Sequence, residues 1–404
     1  MMYNIGIIMG GVMPVPAVCG GAIETLITSI VKKYSKKDGF RLTIFSVYHK
    51  EAVEAAKKYP EVRFVWTHTN TFWNLSRHAV FLAVREFTGK TIRVLQRHYN
   101  EIAPVIQNEK FDLLIVEGGD EQAVIDIAKG YDRDQLVFHA HIHFIPKEVV
   151  VKGYGHMIGV SEFVVREYEK ACQIPVDTHI LRNAIDVDKF NKSISEEERK
   201  RLRKKLGLQE EDFVVLYVGR LIQVKGILEL MQAVLSIHDK HVKLLCIGSA
   251  NFGKWTFSSY EGKVKKLAKN NSDRIIFTGY IDNQDLYKYS LLADVQCVPS
   301  LWEEAAGLVV IEAMAEGIPT IVTNSGGMIE YIDKETSLVI ERENIVENLR
   351  RAICHMKESP NVRKQMSAKS KIHSTRYDET GYYMNFVETI YKIMDENGKS
   401  RNEN

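Results

Sequence analysis

Apolar residues along the chain follow two alternating patterns. Short apolar runs of strand length are separated by longer segments in which apolar residues recur every three or four positions, which is typical of β-α-β units around a parallel sheet. In the first half, the predicted strands are residues 4–9, 42–47, 62–66, 112–116 and 136–138. In the second half, they are residues 213–218, 242–247, 274–278, 295–298 and 320–322. The chain is therefore predicted to be an α/β protein with two doubly wound domains.

A polar segment, residues 182–195, separates the two series of strands. It ends at Ser195, and Glu198 three residues later completes the pattern of a capping box, which predicts the start of a helix. We expect this helix to stop near Gly207, because glycine commonly follows the last turn of a helix.

These signals divide the chain into three parts. Residues 1–190 are predicted to form one Rossmann-like domain, and residues 191–375 a second Rossmann-like domain. Residues 376–404 are predicted to form a C-terminal helix that packs back on the first domain and ends in a frayed polar tail.

Composition narrows the class of protein. With 404 residues, 45% of them hydrophobic and 26% charged, the chain is long enough for two domains and polar enough for a soluble globular protein. Its formal net charge of +2 is too small for a dedicated nucleic-acid-binding protein. We therefore expect small-molecule partners and no nucleic acid.

Three features bear on the compartment. The first apolar run, residues 3–9, is far shorter than the roughly 20 residues that span a bilayer and has no basic leader, so we expect no secretory signal. Five cysteines without a C-x-x-C pair indicate a reducing cytoplasm. Residues 72–99 mix aromatic with basic side chains. They fit either peripheral contact with the inner face of an anionic membrane or an ordinary amphipathic helix pair, which we favour.

A candidate phosphate site follows the first strand of the second half. Gly219 and Arg220 end that strand, and Lys225 and Gly226 precede an apolar-periodic helix. Ligands of open α/β sheets bind at the carboxyl ends of the strands, where helix N-termini also point, so two cations there can neutralise a diphosphate without a metal. The alternative is a pair of surface cations beside a turn.

A candidate sugar site lies near residues 302–314. Glu304 precedes a predicted helix and Glu312 lies within it, and eight helical steps leave the two only about 80° apart around the axis. Both carboxylates can then face one cleft and accept hydrogen bonds from sugar hydroxyls, while Gly307 lets the backbone approach a ligand. The alternative is that they complement the helix dipole or face solvent.

Further motifs follow in a fixed order. In the second half they are Gly219-Arg220, Lys225-Gly226, Phe277-Thr278-Gly279-Tyr280, Ala293-Asp294, Pro299-Ser300, Glu304 with Glu312, Ser325-Gly326-Gly327 and Glu330. In the first half they are Gly20-Gly21-Ala22, Phe138-His139, Val160-Ser161-Glu162-Phe163 and Asn183-Ala184-Ile185-Asp186. Together they resemble the fourth sequence family of retaining glycosyltransferases. Residues 15–23 also resemble bacterial spore-coat and surface-polysaccharide glycosyltransferases.

This resemblance implies the GT-B architecture, in which two Rossmann-like domains face each other across a cleft. It implies that residues 1–190 form the acceptor-side domain and that residues 191–375 form the domain that binds the nucleotide-sugar. It implies that Arg220 and Lys225 bind the diphosphate, that Glu304 holds hydroxyls of the transferred sugar, and that His139 faces that sugar from the first domain. Residues implied to bind the donor are Gly21, Gly219, Tyr280, Ile281, Ala306, Gly307, Leu308 and Glu312. Among these, Glu312 would hold the ribose. The sequence departs from many relatives at Ala305-Ala306, where they carry a small residue and then Phe.

Two patterns imitate metal sites. His139, His141 and His143 alternate, so on an extended strand they would share one face, but no carboxylate or cysteine lies nearby in the sequence. Asp186 and Asp188 imitate the Asp-x-Asp of other glycosyltransferases, yet they lie in the segment between the domains, where we interpret them as turn residues. We therefore predict no metal and no cofactor other than the UDP-sugar as co-substrate.

The resemblance predicts a metal-independent retaining hexosyltransferase. The donor would be a nucleotide-sugar, UDP-glucose or UDP-N-acetylglucosamine, and the acceptor a glycan, glycolipid or glycoprotein in bacterial cell-surface polysaccharide synthesis. Two alternatives stay open: a UDP-sugar epimerase of the same fold, which would need no acceptor, and a non-catalytic coat or scaffold protein that has kept the fold.

Overall fold

The protein folds into two compact units. The structure, a computed structural model, describes residues 2–68, 80, 97–143, 148–172, 174–248, 259–279, 281 and 284–403. The first unit comprises Met1–Asn183 and Glu379–Asn404, and the second comprises Ala184–Asp378. Each unit is an α/β layer structure with its own parallel sheet.

The first unit is built on a parallel sheet in the order β3-β2-β1-β4-β5-β6-β7. Its strands are β1 (Tyr3–Met9), β2 (Phe40–Val47), β3 (Arg63–Thr67), β4 (Leu113–Glu117), β5 (Leu136–Ala140), β6 (His156–Gly159) and β7 (Asp177–Ile180). Its helices before the second unit are α1 (Ala22–Lys33), α2 (Lys50–Ala56), α3 (Arg97–Asn108), α4 (Glu121–Ile127), α5 (Glu148–Gly153) and α6 (Glu162–Ala171).

The second unit carries a parallel sheet in the order β10-β9-β8-β11-β12-β13. Its strands are β8 (Phe213–Val218), β9 (Val242–Ile247), β10 (Ile275–Gly279), β11 (Val295–Val298), β12 (Thr320–Thr323) and β13 (Ser337–Ile340). Its helices are α7 (Val187–Phe190), α8 (Glu196–Lys205), α9 (Ile227–Ser236), α10 (Ser259–Asn270), α11 (Leu286–Ser290), α12 (Leu308–Glu316), α13 (Ile345–Glu358) and α14 (Pro360–Ser374).

Both sheets are held by apolar strands that are buried on each face. In β1, Ile5, Ile7 and Ile8 are fully buried, which explains why such strands read as continuous apolar runs rather than alternating ones. Removing each of these side chains from water stabilises the fold by about 1.5–3 kcal/mol. The prediction of two doubly wound α/β domains is confirmed, and each predicted strand lies within two residues of an observed one.

Two details at the start of the second unit differ from expectation. Residues 184–190 belong to the second unit rather than the first, because the Ile185 amide donates to the Tyr377 carbonyl at 2.9 Å and Phe190 packs in the core of the second unit. Ser195 caps α8 by accepting from the Glu198 amide at 3.2 Å. The Glu198 side chain bonds Arg201 instead of completing a capping box.

The last helix, α15 (Glu379–Glu403), returns to the first unit and packs against α1. Glu379 anchors its start by accepting from Lys32 at 3.0 Å and from Ser29 at 2.6 Å. The helix continues to Glu403. Asn397 anchors this polar end by donating to the Asp134 carbonyl at 2.7 Å.

Candidate active site

The end of β8 and the turn after it are fixed by backbone contacts. The Gly219 amide donates to the Ile247 carbonyl at 3.1 Å, and a short 3-10 turn, Gln223–Lys225, leads into α9. Gly226 has a φ of +69°, and a Cβ there would lie 1.9 Å from the Pro299 carbonyl oxygen. Only glycine fits this position. The turn that carries Lys225 is thereby held against the end of β11.

Lys225 and Glu304 form the central ion pair of the second unit. Lys225 Nζ lies 2.6 Å from Glu304 Oε1, and the Ser300 hydroxyl donates to the same oxygen. The Glu304 amide donates to Ser325 Oγ at 3.3 Å, while the Glu304 carbonyl accepts from the Gly327 amide at 2.7 Å. The structure thus brings together two residues that the sequence assigned to phosphate and to sugar.

Arg220 lies beside this pair in sequence but has a different environment. Its side chain is exposed, and within the described part of the chain its guanidinium has no hydrogen bond or ion pair. Its carbonyl accepts from the Tyr217 hydroxyl at 2.7 Å, which fixes the backbone. Arg220 therefore presents an unneutralised planar fork, suited to a phosphate, at the carboxyl end of β8.

Glycines line the carboxyl ends of three neighbouring strands. Gly248 follows β9 with a φ of +138°, and a Cβ there would lie 2.0 Å from the Gly219 carbonyl oxygen. Its amide donates to the Gly279 carbonyl at 2.9 Å. Gly248 was not among the predicted site residues, although its position directly after an apolar strand is a recognisable signal. The result is a side-chain-free surface that a ligand can approach closely.

The segment before α12 supplies backbone groups. Gly307 is the N-cap of this helix, and a Cβ there would lie 2.8 Å from Met328 Cγ, so a larger residue would displace that side chain. The first amides of a helix lack partners within it, which makes the residues from Ala306 to Leu308 candidate donors for an anion. Ile281 is half-buried, and Tyr280 lies outside the described residues.

The helical argument for Glu304 and Glu312 is wrong, because α12 begins only at Leu308. Glu312 instead shares a helix face with Glu316, one turn later. Both line a cavity of about 10 Å³, room for one water at most, with Ser290. Burial raises the pKa of Glu312 to about 7 and that of Glu316 to about 8. Glu316 was not predicted from the sequence.

A separate cluster lies in the first unit, where β4 and β5 end. Glu117 Oε1 lies 3.1 Å from His139 Nδ1, and Glu117 Oε2 lies 2.5 Å from His141 Nε2. Burial alone would raise the pKa of Glu117, but the charges and hydrogen bonds of the two imidazoles lower it to about 2. Burial and the charge of His139 lower the pKa of His141.

The hydrogen bonds define which imidazole atoms remain for a ligand. His139 Nε2 and His141 Nδ1 are buried and have no hydrogen-bond partner among the described residues. The ligand atoms of Glu117, His139 and His141 lie within 4.8 Å of one another, but the separations from the carboxylate are those of hydrogen bonds. His143 does not share their face, because β5 ends at Ala140; it lies beside Glu167 and Phe163.

The remaining predicted positions serve local structure. Gly21 has a φ of +98° at the N-cap of α1, where a Cβ would lie 2.1 Å from Glu24 Oε2. Asp186 caps α7 by accepting from the Lys189 amide at 3.1 Å. The segment 72–99 lies outside the described residues except for residues 80 and 97–99.

Comparison with known proteins finds similarity to glycosyltransferases. Residues 198–373 match the family model for glycosyl transferases group 1. The chain is 26% identical over 372 residues to the putative glycosyltransferase YtcC of Bacillus subtilis, which covers 89% of this chain and 85% of that protein. The second unit is therefore similar to the group 1 glycosyltransferases.

A further relative and a solved structure are also similar to this chain. Spore coat protein SA of Bacillus subtilis is 24% identical over 328 residues, which cover 80% of this chain and 81% of that protein. The crystal structure of HepE from Anabaena with UDP and glucose superposes with a TM-score of 0.70 at 19% identity, covering 97% of this chain and all of the other. The GT-B architecture that the sequence predicts is confirmed by these similar structures.

The family match covers the Lys225–Glu304 pair, Arg220 and Glu312, but not the Glu117 cluster of the first unit. Glu117 is the site residue that sequence reasoning missed. The only sequence signal for Glu117 is its position at the end of the buried strand β4. Strand β4 pairs with β5 in parallel, and Val116 lies opposite Phe138. The next residues on the two strands, Glu117 and His139, are therefore neighbours across the sheet. Among the described helices of this chain, none has the length and apolarity needed to span a bilayer.

Proposed function

We propose that this protein is a retaining hexosyltransferase that uses UDP-glucose or UDP-N-acetylglucosamine and needs no catalytic metal. The observation that carries the proposal is the Lys225–Glu304 pair. Lys225 Nζ, a cation suited to phosphate, lies 2.6 Å from Glu304 Oε1, which belongs to a carboxylate suited to sugar hydroxyls. HepE, whose structure contains UDP and glucose, supports a uridine nucleotide and a hexose.

The two cations act on charge that develops during transfer. As the bond between the anomeric carbon and the diphosphate oxygen breaks, negative charge grows on the leaving oxygen. Arg220 is exposed and without an ion pair among the described residues, so it can bind phosphate oxygens at once. Lys225 must first share its ammonium between Glu304 and the phosphate. Because backbone hydrogen bonds hold both residues in the turn after β8, the two cations are close to the phosphate position before the substrate arrives.

Glu304 then orients the transferred sugar. Its Oε1 remains bonded to the Ser300 hydroxyl, and its Oε2 can accept hydrogen bonds from two sugar hydroxyls. The acceptor hydroxyl attacks the anomeric carbon from the side of the leaving group, which retains the configuration. The new carbon–oxygen bond forms as the old one breaks, and the acceptor's proton passes to a donor phosphate oxygen, so no side-chain base is required.

His139 is proposed to bind a sugar hydroxyl, and Glu117 is proposed as the residue that positions it. The carboxylate of Glu117 accepts from His139 Nδ1, so Nε2 keeps its lone pair and can accept a hydrogen bond. A buried nitrogen without a partner costs free energy, and a hydroxyl of the substrate would satisfy it.

Glu312 is proposed to hold the ribose, with Tyr280 and Ile281 along the base. Its raised pKa, about 7, means that near neutral pH the carboxyl is present in both forms, and each form can bond a ribose hydroxyl. Gly21, Gly219 and the amides from Ala306 to Leu308 are proposed to approach the donor through their backbones. The acceptor is proposed to be a cell-surface glycan, glycolipid or glycoprotein, in line with the relative named as a spore coat protein.

A donor screen tests the proposal directly. Nucleotide release is followed with UDP-, GDP-, ADP- and TDP-sugars, with a panel of glycan acceptors, and the anomeric configuration of the product is read by proton NMR. Transfer from a UDP-hexose with retention is expected. Inversion would contradict the mechanism, conversion of the donor without an acceptor would favour an epimerase, and UDP binding without turnover would favour a non-catalytic protein.

Calorimetric titration separates the nucleotide pocket from the sugar pocket. UDP should bind more tightly than GDP, and Glu304→Gln should impair transfer while leaving UDP affinity nearly unchanged, because Glu304 is assigned to the sugar. Ser236→Ala, on the outer part of α9, is a control that should change neither quantity. Tighter GDP binding, or UDP affinity that collapses with Glu304→Gln, would refute these assignments.

A further inference from the structure

Two histidines and a glutamate meet at the edge of the first sheet, outside the residues assigned above. His156 begins β6, His179 lies in β7 and Glu396 lies near the end of α15. The parallel register pairs His156 with Asp177 and Ile158 with His179. Because side chains alternate along a strand, Asp177 and His179 point to the same face. The fold thereby gathers four potential metal ligands from three elements.

The separations of these atoms match a coordination sphere better than a set of hydrogen bonds. His179 Nε2 lies 3.5 Å from His156 Nδ1 and 3.5 Å from Glu396 Oε2, and the third side, from His156 Nδ1 to Glu396 Oε2, is 3.8 Å. A triangle with these sides has a circumradius of about 2.1 Å, which is the length of a zinc bond to imidazole or carboxylate. Tetrahedral coordination at this bond length places ligand atoms about 3.4 Å apart, so the three side chains need to move together only slightly. Asp177 Oδ2 lies 3.9 Å from His156 Nδ1.

An independent set of hydrogen bonds prepares His156 to be a ligand. Asn397 Nδ2 donates to the Asp134 carbonyl at 2.7 Å, which turns the amide oxygen of Asn397 toward His156. That oxygen lies 2.9 Å from His156 Nε2, so Nε2 carries the proton and Nδ1 presents its lone pair. A ligand histidine whose other nitrogen donates to a carbonyl oxygen is the usual arrangement in zinc sites. His156 is 1% exposed, so this orientation is fixed.

We propose that His156, His179 and Glu396 bind one structural Zn²⁺ ion, with Asp177 or water as the fourth ligand. Two imidazole nitrogens and a carboxylate favour zinc over Mg²⁺ and Ca²⁺, which prefer oxygen ligands. The neighbouring Lys392 pairs with Glu388 at 2.7 Å, so its ammonium is directed to another carboxylate. The ion would fasten the end of α15 to β6 and β7. This inference goes beyond the proposed function, because it assigns the metal no part in transfer.

The competing arrangement is a proton shared between the two imidazoles. At 3.5 Å the nitrogens are at the far limit of a hydrogen bond, and Glu396 is equally distant from His179. A proton would satisfy only one pair of atoms, whereas an ion satisfies all three. The two arrangements predict different metal contents.

Metal binding by the full chain decides between them. The protein is stripped with EDTA, desalted and titrated with Zn²⁺ by calorimetry, and Co²⁺ is used as a probe because its visible absorption reports tetrahedral coordination. We expect one Zn²⁺ per chain, a higher Tm with the ion, and slower amide exchange at the end of α15. Absence of stoichiometric Zn²⁺ uptake, or Co²⁺ bound without a tetrahedral spectrum, would overturn the proposal.

Variants locate the ion. His179→Ala and the half-exposed Glu396→Gln should abolish the Co²⁺ spectrum, and Asn397→Ala should weaken Zn²⁺ binding by about 10–100-fold. His241→Ala, which alters a histidine paired with Asp212 in the second unit, should bind Zn²⁺ like the wild type. If His141→Ala abolishes binding while Glu396→Gln retains it, the ion belongs to the Glu117 cluster and the proposal is wrong.

Discussion

The Lys225–Glu304 pair of the second unit and the Glu117 cluster of the first unit differ in their exposure to solvent. In the second unit, the side chains of Lys225 and Glu304 are 25% and 11% exposed, and the lysine reaches the carboxylate from a turn. In the first unit, the Glu117 side chain is 1% exposed and accepts from His139 and His141 at once. The Lys225–Glu304 pair is therefore partly exposed to solvent, whereas the Glu117 cluster is buried.

This difference indicates two ways of using charge. A partly exposed ion pair is worth little by itself, so Lys225 can exchange its partner for a phosphate at small cost. A buried carboxylate with two hydrogen-bonded imidazoles cannot exchange partners, because an unpaired charge there costs several kcal/mol. We therefore expect the cluster of the second unit to act by redirecting charge to the substrate, and that of the first unit to act by holding His139 in one orientation.

The largest effect is expected from removing the phosphate cations. Arg220→Ala and Lys225→Ala should each raise the barrier to transfer by about 2–4 kcal/mol, because each cation acts on charge that grows in the transition state. Steady-state kinetics measure kcat, and thermal unfolding measures stability, which should change much less. Lys288→Ala is the control, since Lys288 pairs with Asp285 on the same unit. Near-wild-type turnover in both variants would remove the phosphate assignment.

The next largest effect is expected from a substitution in the buried Glu117 cluster of the first unit. Glu117→Gln keeps the shape but removes the charge that accepts from two imidazoles, so it should cost about 2–3 kcal/mol of stability at pH 7. Because the folded pKa of Glu117, about 2, lies below the free value of 4.5, its stabilisation is present above pH 4.5 and is lost as the pH falls toward 2. Chemical denaturation at several pH values measures both.

A second readout separates positioning from simple stability. If Glu117 sets the tautomer of His139, then Glu117→Gln should lower kcat and shift the pH dependence of kcat even at a temperature where the variant is fully folded. Glu167→Gln, which alters a half-buried carboxylate beside His143, is the control. A variant that is less stable but has an unchanged pH profile would leave Glu117 with a structural role only.

The two clusters also differ in how well the sequence predicts them. Arg220 and Lys225 lie in one strand-to-helix turn, so local spacing alone places them together. Glu117 and His139 are 22 residues apart and meet only through the register of β4 and β5. Spacing along the chain carries no information about which strands pair, which is why the search for a carboxylate near the histidines in the sequence did not find Glu117.

The same limit explains the elements that were missed. Strands β6, β7 and β13 have only four residues each. In addition, β6 contains His156 and β7 contains Asp177 and His179, so neither of these two strands is a continuous apolar run. The angle between Glu304 and Glu312 was predicted from helical geometry, but the backbone of Glu304 is held by Ser325 and Gly327 and not by a helical turn. Contacts between distant segments decide both cases, and local pattern cannot represent them.

A third cluster, Glu312 and Glu316, differs from the first two in its charged partners. Among the described residues, no cation lies in hydrogen-bond contact with either carboxyl group. Glu316 has a folded pKa of about 8 against 4.5 when free, so the stability it contributes is fully present below pH 4.5 and is lost as the pH rises through 8. Glu316→Gln should therefore stabilise the protein by about 1–2 kcal/mol at pH 8.5 and not at pH 4.5. Glu358→Gln, an exposed position on α13, serves as the control. Equal effects at both pH values would mean that Glu316 titrates normally.

The smallest expected effect on transfer is that of chelation. If Arg220 and Lys225 neutralise the diphosphate, and if the Glu117 cluster is a hydrogen-bonded network rather than a metal site, the initial rate should be unchanged in excess EDTA. The structural zinc proposed at His156 makes a contrasting prediction, because EDTA should lower Tm while leaving the rate intact at temperatures where the protein stays folded. His179→Ala, which lacks that site, should show no EDTA-dependent change in Tm. A rate that EDTA abolishes in His179→Ala, and that Mg²⁺ or Mn²⁺ restores, would assign the metal to catalysis and return Asp186 and Asp188 to consideration.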